Sequence, residues 1–274
     1  MKIRTRRAAK VLAGRKRPGL RRELLTTDFV LPVLHRYSRA ETLSLHTRSP
    51  AARGDLYFGR DSFPVDRVAY FGIFLEGWYR ADFHDAVVVD VGAHKGYFGG
   101  FALLEGAREV HSFEPEEANF AALERAAATF GSRWVVRRAA VAAAPGSVKL
   151  NVSAESAGHS IVHAEAEGPR RTIRSERVEA VAMRDVLSDL SGRGRSLIVK
   201  IDAEGAEGEI VLGTPRDAWR AVDDVFLEVH RFSPASTAQI VDHLRPAGLE
   251  VALHEVDDEA DLLVLRRSQR ALAR

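Results

Sequence analysis

Several acidic side chains and one histidine follow apolar runs in this chain, at positions where they could take part in chemistry. The acidic residues that close such runs are Asp90, Glu114, Asp202 and Glu228, and His230 stands two residues beyond the last of them. Because the carboxyl ends of parallel strands meet at one edge of a sheet, we expect these side chains to share one cleft. Carboxylates in such a cleft can bind hydroxyl groups or accept protons.

The segment from Ala86 to Glu114 predicts a strand, a glycine turn, a helix and a second strand. Val87 to Val89 form an apolar β-branched run, which is typical of a buried parallel strand. The turn from Asp90 to Gly96 contains glycines, which allow the backbone to approach a ligand closely. Glu114 follows about 20 residues later, the usual place of a carboxylate that binds a ribose diol. The unit is therefore predicted to hold a nucleoside-containing cofactor.

The spacing of the glycines indicates which cofactor this is. The turn places Gly92 and Gly96 four residues apart, whereas a dinucleotide turn has the pattern Gly-x-Gly-x-x-Gly. Asp90 beside the turn disfavours a pyrophosphate and suits the sulfonium and ammonium groups of S-adenosylmethionine. No tyrosine has the Tyr-x-x-x-Lys spacing of short-chain dehydrogenases, and Lys95 precedes a glycine, unlike the lysine of a Walker loop. A nucleotide-dependent oxidoreductase is therefore disfavoured.

Four motifs, in this order, resemble those of the FkbM-type S-adenosylmethionine-dependent methyltransferases. They are Asp-Val-Gly-Ala-His-Lys-Gly-Tyr-Phe (90–98), Phe-Glu-Pro (113–115), Lys-Ile-Asp-Ala-Glu-Gly-Ala-Glu (200–207) and Glu-Val-His (228–230). The resemblance covers about residues 85 to 232, and the motif at 200–207 is the most specific of the four. His94 is a departure, because the general methyltransferase turn has a glycine there, but histidine tolerates left-handed backbone angles better than most residues.

The resemblance implies an enzyme that uses S-adenosyl-L-methionine and methylates a hydroxyl on a sugar, a polyketide or another small metabolite. The cofactor-binding residues expected from the motifs and the strand ends are Asp90, Gly92, Ala93, His94, Gly96, Tyr97, Glu114, Pro115, Ala140, Val141 and Asp202. Within this set, the apolar Ala140 and Val141 would lie where an adenine ring is usually held.

Methylation of a hydroxyl requires a general base, because the hydroxyl proton must leave as the new bond forms. The candidates are Asp202, Glu204, Glu207, Glu228 and His230, of which Glu204 or His230 is expected to be the base. Asp202 would contact the methionine part of the donor or the acceptor. Glu207 opens the following helix, where the helix dipole alone favours a carboxylate, so a structural role competes with a catalytic one.

Other polar groups are interpreted as structural. Lys200 ends a buried strand and is predicted to pair with Glu228 or Glu204, with a substrate contact as the alternative. His159 and His163 lie four residues apart but lack the glutamate of a His-Glu-x-x-His motif, and we predict no metal site.

The alternation of strands and helices predicts a doubly wound α/β fold, with a mostly parallel seven-stranded sheet and an antiparallel C-terminal strand. Val65 to Tyr79 is predicted to be a helix, and Trp134 to Val141 a single strand. Residues 85–274 would form the methyltransferase domain, after a basic tail (1–22) and a helical extension or lid (23–84).

Composition adds one asymmetry to this interpretation. Residues 1–22 carry ten of the 40 Lys and Arg residues and none of the 38 Asp and Glu residues, so the remaining chain is net acidic. A nucleic-acid-modifying methyltransferase, or an RNA-binding protein that docks through this tail, is the alternative function, although an acidic body disfavours it. With no cysteine and no apolar run long enough to span a bilayer, we expect a cytoplasmic enzyme with no membrane span. The small-molecule acceptor is what the family resemblance implies. The sequence leaves the oligomeric state open.

Overall fold

The computed structural model describes residues 32, 35–36, 40–165, 167–168 and 170–268. Its strands are β1 (Thr42–Arg48), β2 (Arg53–Gly59), β3 (Ala86–Val91), β4 (Glu109–Phe113), β5 (Trp134–Arg137), β6 (Ala140–Ala142), β7 (Gly146–Ser153), β8 (Thr172–Ala182), β9 (Ser196–Ile201), β10 (Asp224–His230), β11 (Leu249–Val256) and β12 (Ala260–Arg267). Its α-helices are α1 (Phe63–Phe71), α2 (Tyr97–Leu104), α3 (Glu117–Phe130), α4 (Met183–Leu190), α5 (Glu207–Gly213) and α6 (Thr237–Leu244). The described residues also contain short segments of π-helix (Gly72–Glu76) and 3-10 helix (Arg216–Ala221, Arg245–Ala247).

The main sheet has seven strands in the order β11-β12-β10-β9-β3-β4-β5. Strands β10, β9, β3, β4 and β5 pair in parallel, whereas β12 is antiparallel to both β10 and β11. The sequence prediction of a mostly parallel seven-stranded sheet with an antiparallel C-terminal strand is therefore confirmed. Register places Val91 opposite both Phe113 and Ile201, so that the turns after these strands begin at one level.

The central strands are buried on both faces because their residues are apolar at nearly every position. Alternate residues of β3 point to opposite faces, with Val88 in one core and Val87 and Val89 in the other. Helices α2 and α3 cover the first face, and α4, α5 and α6 cover the second. This burial on both faces explains why the sequences of the central strands are continuous apolar runs.

A second, three-stranded sheet lies beside the main one, in the order β6-β8-β7. The sequence predicted a single strand from Trp134 to Val141, and this prediction was wrong. Arg137 ends β5, and the chain then enters β6, which pairs with β8 rather than with β4. The change of sheet carries Ala140 and Val141 towards the carboxyl edge of the main sheet.

The region before β3 contains a hairpin that the sequence did not predict. Strands β1 and β2 pair antiparallel, and Leu56 and Phe58 of β2 are fully buried in the core. The predicted helix from Val65 to Tyr79 is shorter in the structure, because the π-helical turn that follows α1 ends at Gly77, whose φ is +67°. The basic tail lies outside the described residues. No helix in the described part of the chain is long and apolar enough to cross a membrane.

Candidate active site

A cavity of about 750 Å³ opens at the carboxyl edge of the main sheet. Most of the predicted site residues line it: Gly92, Ala93, His94, Tyr97, Glu114, Pro115, Ala140, Val141, Asp202, Glu204 and His230. Asp90 and Gly96 do not line it. The cavity has the size of a typical small-molecule site, and it contains both the predicted cofactor end and the predicted catalytic end.

The turn after β3 depends on left-handed backbone conformations. Gly92, His94 and Gly96 have φ values of +68°, +52° and +89°. A Cβ atom on Gly92 would lie 1.8 Å from the carbonyl oxygen of Asp202, so a glycine is required there for the turn after β9 to approach. The backbone N–H groups of Gly92 and Ala93 donate to the carbonyl of Phe113 at 3.1 and 3.0 Å, which ties the turn to the end of β4.

Glu114 holds the other side of the same turn. Its Oε2 accepts from the backbone N–H of His94 at 2.8 Å, and its Oε1 accepts from the backbone N–H of Glu116 at 2.9 Å. Burial raises the pKa of Glu114 to about 8, although the two backbone hydrogen bonds oppose that shift. Each carboxylate oxygen can accept a second hydrogen bond. Glu114 lines the cavity, so a ribose diol bound there could donate these second hydrogen bonds from its two hydroxyls.

Asp90 has a different place from the predicted one. It is fully buried, and its Oδ1 lies 3.5 Å from Lys200 Nζ, while Ser112 Oγ donates to its Oδ2 at 3.2 Å. The predicted partners of Lys200 were Glu228 or Glu204, but its ion pairs are with Asp90 and with Asp202, also at 3.5 Å. Lys200 Nζ also donates to the carbonyl of Gly92 at 2.8 Å. This lysine therefore supports the turn from Asp90 to Gly96, which is named the cofactor turn.

An ion pair that the sequence did not predict fixes the cofactor turn to α1. Lys95 Nζ lies 2.8 Å from both carboxylate oxygens of Asp66, which is fully buried. Ser62 Oγ and the backbone N–H of Gly59 also donate to Asp66, at 2.8 and 2.7 Å. The only sequence signal was the polar Asp66 within the apolar pattern of α1.

The turn between β9 and α5 (residues 202–206, the catalytic turn) forms the predicted catalytic end of the cavity. Glu204 has a φ of +47°, and Gly205 follows it with a φ of +100°. Glu204 Oε2 lies 3.4 Å from His230 Nε2 and 3.3 Å from Arg170 Nη1. Burial raises the pKa of Glu204 to about 8, opposed by the nearby charges of His230 and Arg170. A carboxylate with a pKa near neutrality is suited to accept a proton.

His230 lies between two carboxylates. Its Nδ1 is 2.9 Å from Oε1 of the fully buried Glu207, and its Nε2 faces Glu204. Burial alone would lower the pKa of His230, but the hydrogen bond to Glu207 and the charges of Glu204 and Glu207 raise it to about 10. The imidazole is therefore a cation at neutral pH, which favours Glu204 over His230 as the proton acceptor.

The loop between β7 and β8 closes this end of the cavity. Arg170 on this loop contacts Glu155 at 3.1 Å, Glu204 at 3.3 Å and Glu259, on the β11–β12 turn, at 3.3 Å. Ser160 Oγ donates to the backbone carbonyl of Glu204 at 2.5 Å. Arg170 was not predicted from the sequence, because the residues next to it in a polar loop do not indicate which distant carboxylates its side chain contacts.

The predicted catalytic residues also raise the question of a metal ion. Ligand atoms of Asp202, Glu204 and His230 lie within 4.8 Å of one another. Cationic groups already accompany each of the two carboxylates: Lys200 is beside Asp202, and Arg170 and the protonated His230 are beside Glu204. Since these cations balance the carboxylates, we do not assign the three residues as metal ligands.

Several solved methyltransferase structures are similar in fold to this chain. A methyltransferase FkbM from Methylobacillus flagellatus KT is 16% identical with a TM-score of 0.47, over 76% of this chain and 53% of its own length, so the chain spans about half of that protein. A precorrin-6y C5,15-methyltransferase from Geobacter metallireducens GS-15 is 12% identical, with a TM-score of 0.39, over 70% of this chain and 84% of that one. Sp1610 from Streptococcus pneumoniae, described as a putative tRNA (m1A22) methyltransferase and solved in complex with S-adenosyl-L-methionine, is 11% identical, with a TM-score of 0.39 and 67% of each chain covered.

A search of curated proteins by sequence found no match. The family model described as the Methyltransferase FkbM domain matches residues 90–251, which include the cofactor turn, Glu114 and the motif at 200–207. This match confirms the resemblance drawn from the four motifs, and with it S-adenosylmethionine as the cofactor. The chain, with its class I methyltransferase sheet and a cavity at the carboxyl edge of that sheet, belongs to the FkbM methyltransferase family.

Proposed function

We propose that the protein is an O-methyltransferase that methylates a hydroxyl of a small metabolite such as a sugar or a polyketide. The observation that carries this proposal is the position of Glu204, a carboxylate with a pKa of about 8 in the same cavity as the cofactor turn and Glu114. When bound, S-adenosylmethionine supplies an electrophilic methyl group on a sulfonium. A neutral hydroxyl needs a proton acceptor at that moment, and Glu204 supplies one.

In the proposed mechanism the protein positions the acceptor and removes its proton. Glu114 would hold the ribose of the donor, and Ala140 and Val141 would contact its adenine ring. Asp202 lies between the cofactor turn and the catalytic turn, where it can contact either the donor or the acceptor. The hydroxyl proton would move to a carboxylate oxygen of Glu204. The nearby cations of His230 and Arg170 oppose the rise in pKa that burial causes, and so favour the ionised form that accepts the proton.

The charge of the cavity favours a small acceptor over a nucleic acid. Among the described residues, nine Asp or Glu side chains line it, against four cationic side chains, namely Arg67, Arg170, Lys200 and the protonated His230. A polyanionic backbone would be repelled by such a lining. The proposal is tested by measuring release of S-adenosylhomocysteine with a panel of free sugars, macrolactones and transfer RNA. Turnover with transfer RNA alone would overturn it.

The cofactor site can be tested before any acceptor is known. We expect Glu114→Gln to weaken the binding of S-adenosylhomocysteine by about tenfold to a hundredfold, because one oxygen that accepts from a ribose hydroxyl is lost. Isothermal titration calorimetry would measure this, with NAD as a ligand that should bind to neither protein. The matched control is Glu117→Gln, which removes an exposed charge three residues away. Equal affinity in the two variants would contradict the ribose contact.

The two shifted pKa values predict a bell-shaped dependence of kcat/KM on pH. Glu204 accepts a proton only when ionised, so activity should rise as the pH passes about 8. His230 stabilises that carboxylate only while protonated, so activity should fall as the pH passes about 10. Initial rates across the range from about pH 5 to about pH 11 would show both limbs. A rise near 4.5, the ordinary pKa of a glutamate, would contradict the role of burial at Glu204.

A further inference from the structure

Glu207 lies at the centre of a hydrogen-bond network beneath the catalytic turn. Its Oε1 accepts from the backbone N–H of Ala203 at 3.0 Å and from that of Gly205 at 3.0 Å. The same oxygen lies 2.9 Å from His230 Nδ1, so one oxygen contacts three donors from two different elements. Its other oxygen is buried and has no hydrogen-bond partner in the described structure. The side chain is fully buried.

The turn that Glu207 holds is one that the backbone does not adopt easily. Glu204 is one of three residues other than glycine, within the described ranges, with a positive φ. A positive φ costs a residue with a Cβ atom free energy, and neighbouring contacts must offset that cost. The hydrogen bonds from Ala203 and Gly205 to Glu207 flank Glu204 on both sides, so they fix its backbone conformation.

The same oxygen also fixes the orientation of His230. With Nδ1 hydrogen-bonded to Glu207, the imidazole presents Nε2 to Glu204 Oε2 at 3.4 Å. The ring of Phe232 packs near His230, with its centroid 5.3 Å away, and its edge lies beside Gly205. Glu207 is thus the group that joins the Glu204 turn to the end of β10.

We propose that Glu207 is a positioning residue, whose Oε1 holds Glu204 and His230 in the arrangement that proton transfer requires. This inference rests on the proposed function, in which Glu204 removes the hydroxyl proton. It differs from a helix-dipole role, since Glu209 lies in the same first turn of α5 and would serve the dipole equally well. A positioning role requires an acceptor oxygen at 207, whereas a dipole role requires only a negative charge.

The test compares Glu207→Ala, Glu207→Gln and Glu209→Gln. A displacement of about 1 Å in a catalytic group can reduce the rate about a hundredfold. We therefore expect Glu207→Ala to lower kcat by about tenfold to a hundredfold with KM nearly unchanged. Glu207→Gln retains an acceptor oxygen and should restore kcat to within about threefold, and Glu209→Gln, which is exposed, should match the wild type. If Glu207→Gln were as impaired as Glu207→Ala, or if Glu207→Ala kept its kcat, the proposal would be overturned.

A second measurement needs no acceptor. In the uniformly ¹⁵N-labelled wild-type protein, the Nδ1 proton of His230 should give a downfield NMR signal protected from exchange. The same signal should persist in Glu207→Gln and be lost in Glu207→Ala, together with shifts of the Ala203 and Gly205 amides. Absence of the signal in the wild type overturns the positioning role. Failure of the proposed function is recognised separately, by methyl transfer that survives Glu204→Gln while the His230 signal is present.

Discussion

Replacing Glu204 with glutamine is expected to lower kcat by about two to four orders of magnitude, which is the usual contribution of a general base. Glutamine has nearly the same shape and can still accept a hydrogen bond from Arg170 or His230, but it cannot take the hydroxyl proton. Release of S-adenosylhomocysteine would be measured with the best acceptor from the screening panel. The affinity for S-adenosylhomocysteine should stay within about threefold of the wild type, because the proposed role of Glu204 is proton transfer from the acceptor and not binding of the donor.

Two further variants serve as controls for Glu204→Gln. Glu259→Gln removes a carboxylate that contacts the same Arg170 but not His230, and we expect it to keep nearly full activity. His230→Gln should retain more activity than Glu204→Gln, since His230 acts through its charge and not as the proton acceptor. The reverse order would identify His230 as the base, the alternative that the sequence left open.

Replacing Asp66 with alanine is expected to lower the free energy of unfolding by about 3 to 5 kcal/mol, the range found when one partner of a buried ion pair is removed. The change would leave Lys95 buried without its carboxylate, and it would remove the acceptor for Ser62 Oγ and the Gly59 backbone N–H. Urea denaturation followed by far-UV circular dichroism measures the change. Because Lys95 belongs to the cofactor turn, the binding of S-adenosylhomocysteine should weaken as well.

An exposed ion pair provides the control for the buried one. Arg245 and Asp242 pair at 3.2 Å on the surface of α6 and the turn that follows it, and Asp242→Ala should cost less than about 1 kcal/mol. A double variant, Asp66→Leu with Lys95→Met, should recover much of the loss, because no unpaired charge remains buried. A loss at Asp66 as small as that at Asp242 would show that water reaches the pair.

The parts of the fold that the sequence predicted are those whose signals are local. The β-branched run before Asp90, the glycines of the turn and the distance to Glu114 lie within one strand-helix-strand unit, so period and spacing were enough to place them. The antiparallel C-terminal strand was predicted for the same reason. The prediction of a single strand from Trp134 to Val141 was wrong because the partner of its second half is β8. That strand begins at Thr172, 30 residues after β6 ends at Ala142, so nothing local indicates the pairing.

The contacts that the sequence could not predict join residues far apart in the chain. Asp66 and Lys95 are 29 positions apart, and Arg170 and Glu204 are 34 positions apart. Asp90 was expected in the cavity because its charge suits a cationic cofactor, but its neighbour in the register of β9 is Lys200, and the two pair beneath the turn. Packing rather than spacing therefore decided which of the predicted acids reach the ligand.

The lining of the cavity comes from two kinds of backbone. Val141 lies within a strand and Glu114 directly follows one, whereas other lining residues come from connecting loops, with Arg170 between β7 and β8 and Glu259 between β11 and β12. Loops accept insertions and substitutions far more readily than the strands that they connect. Acceptor preference can therefore diverge in this lineage by changes of loop length and composition, while the methyl donor stays in place.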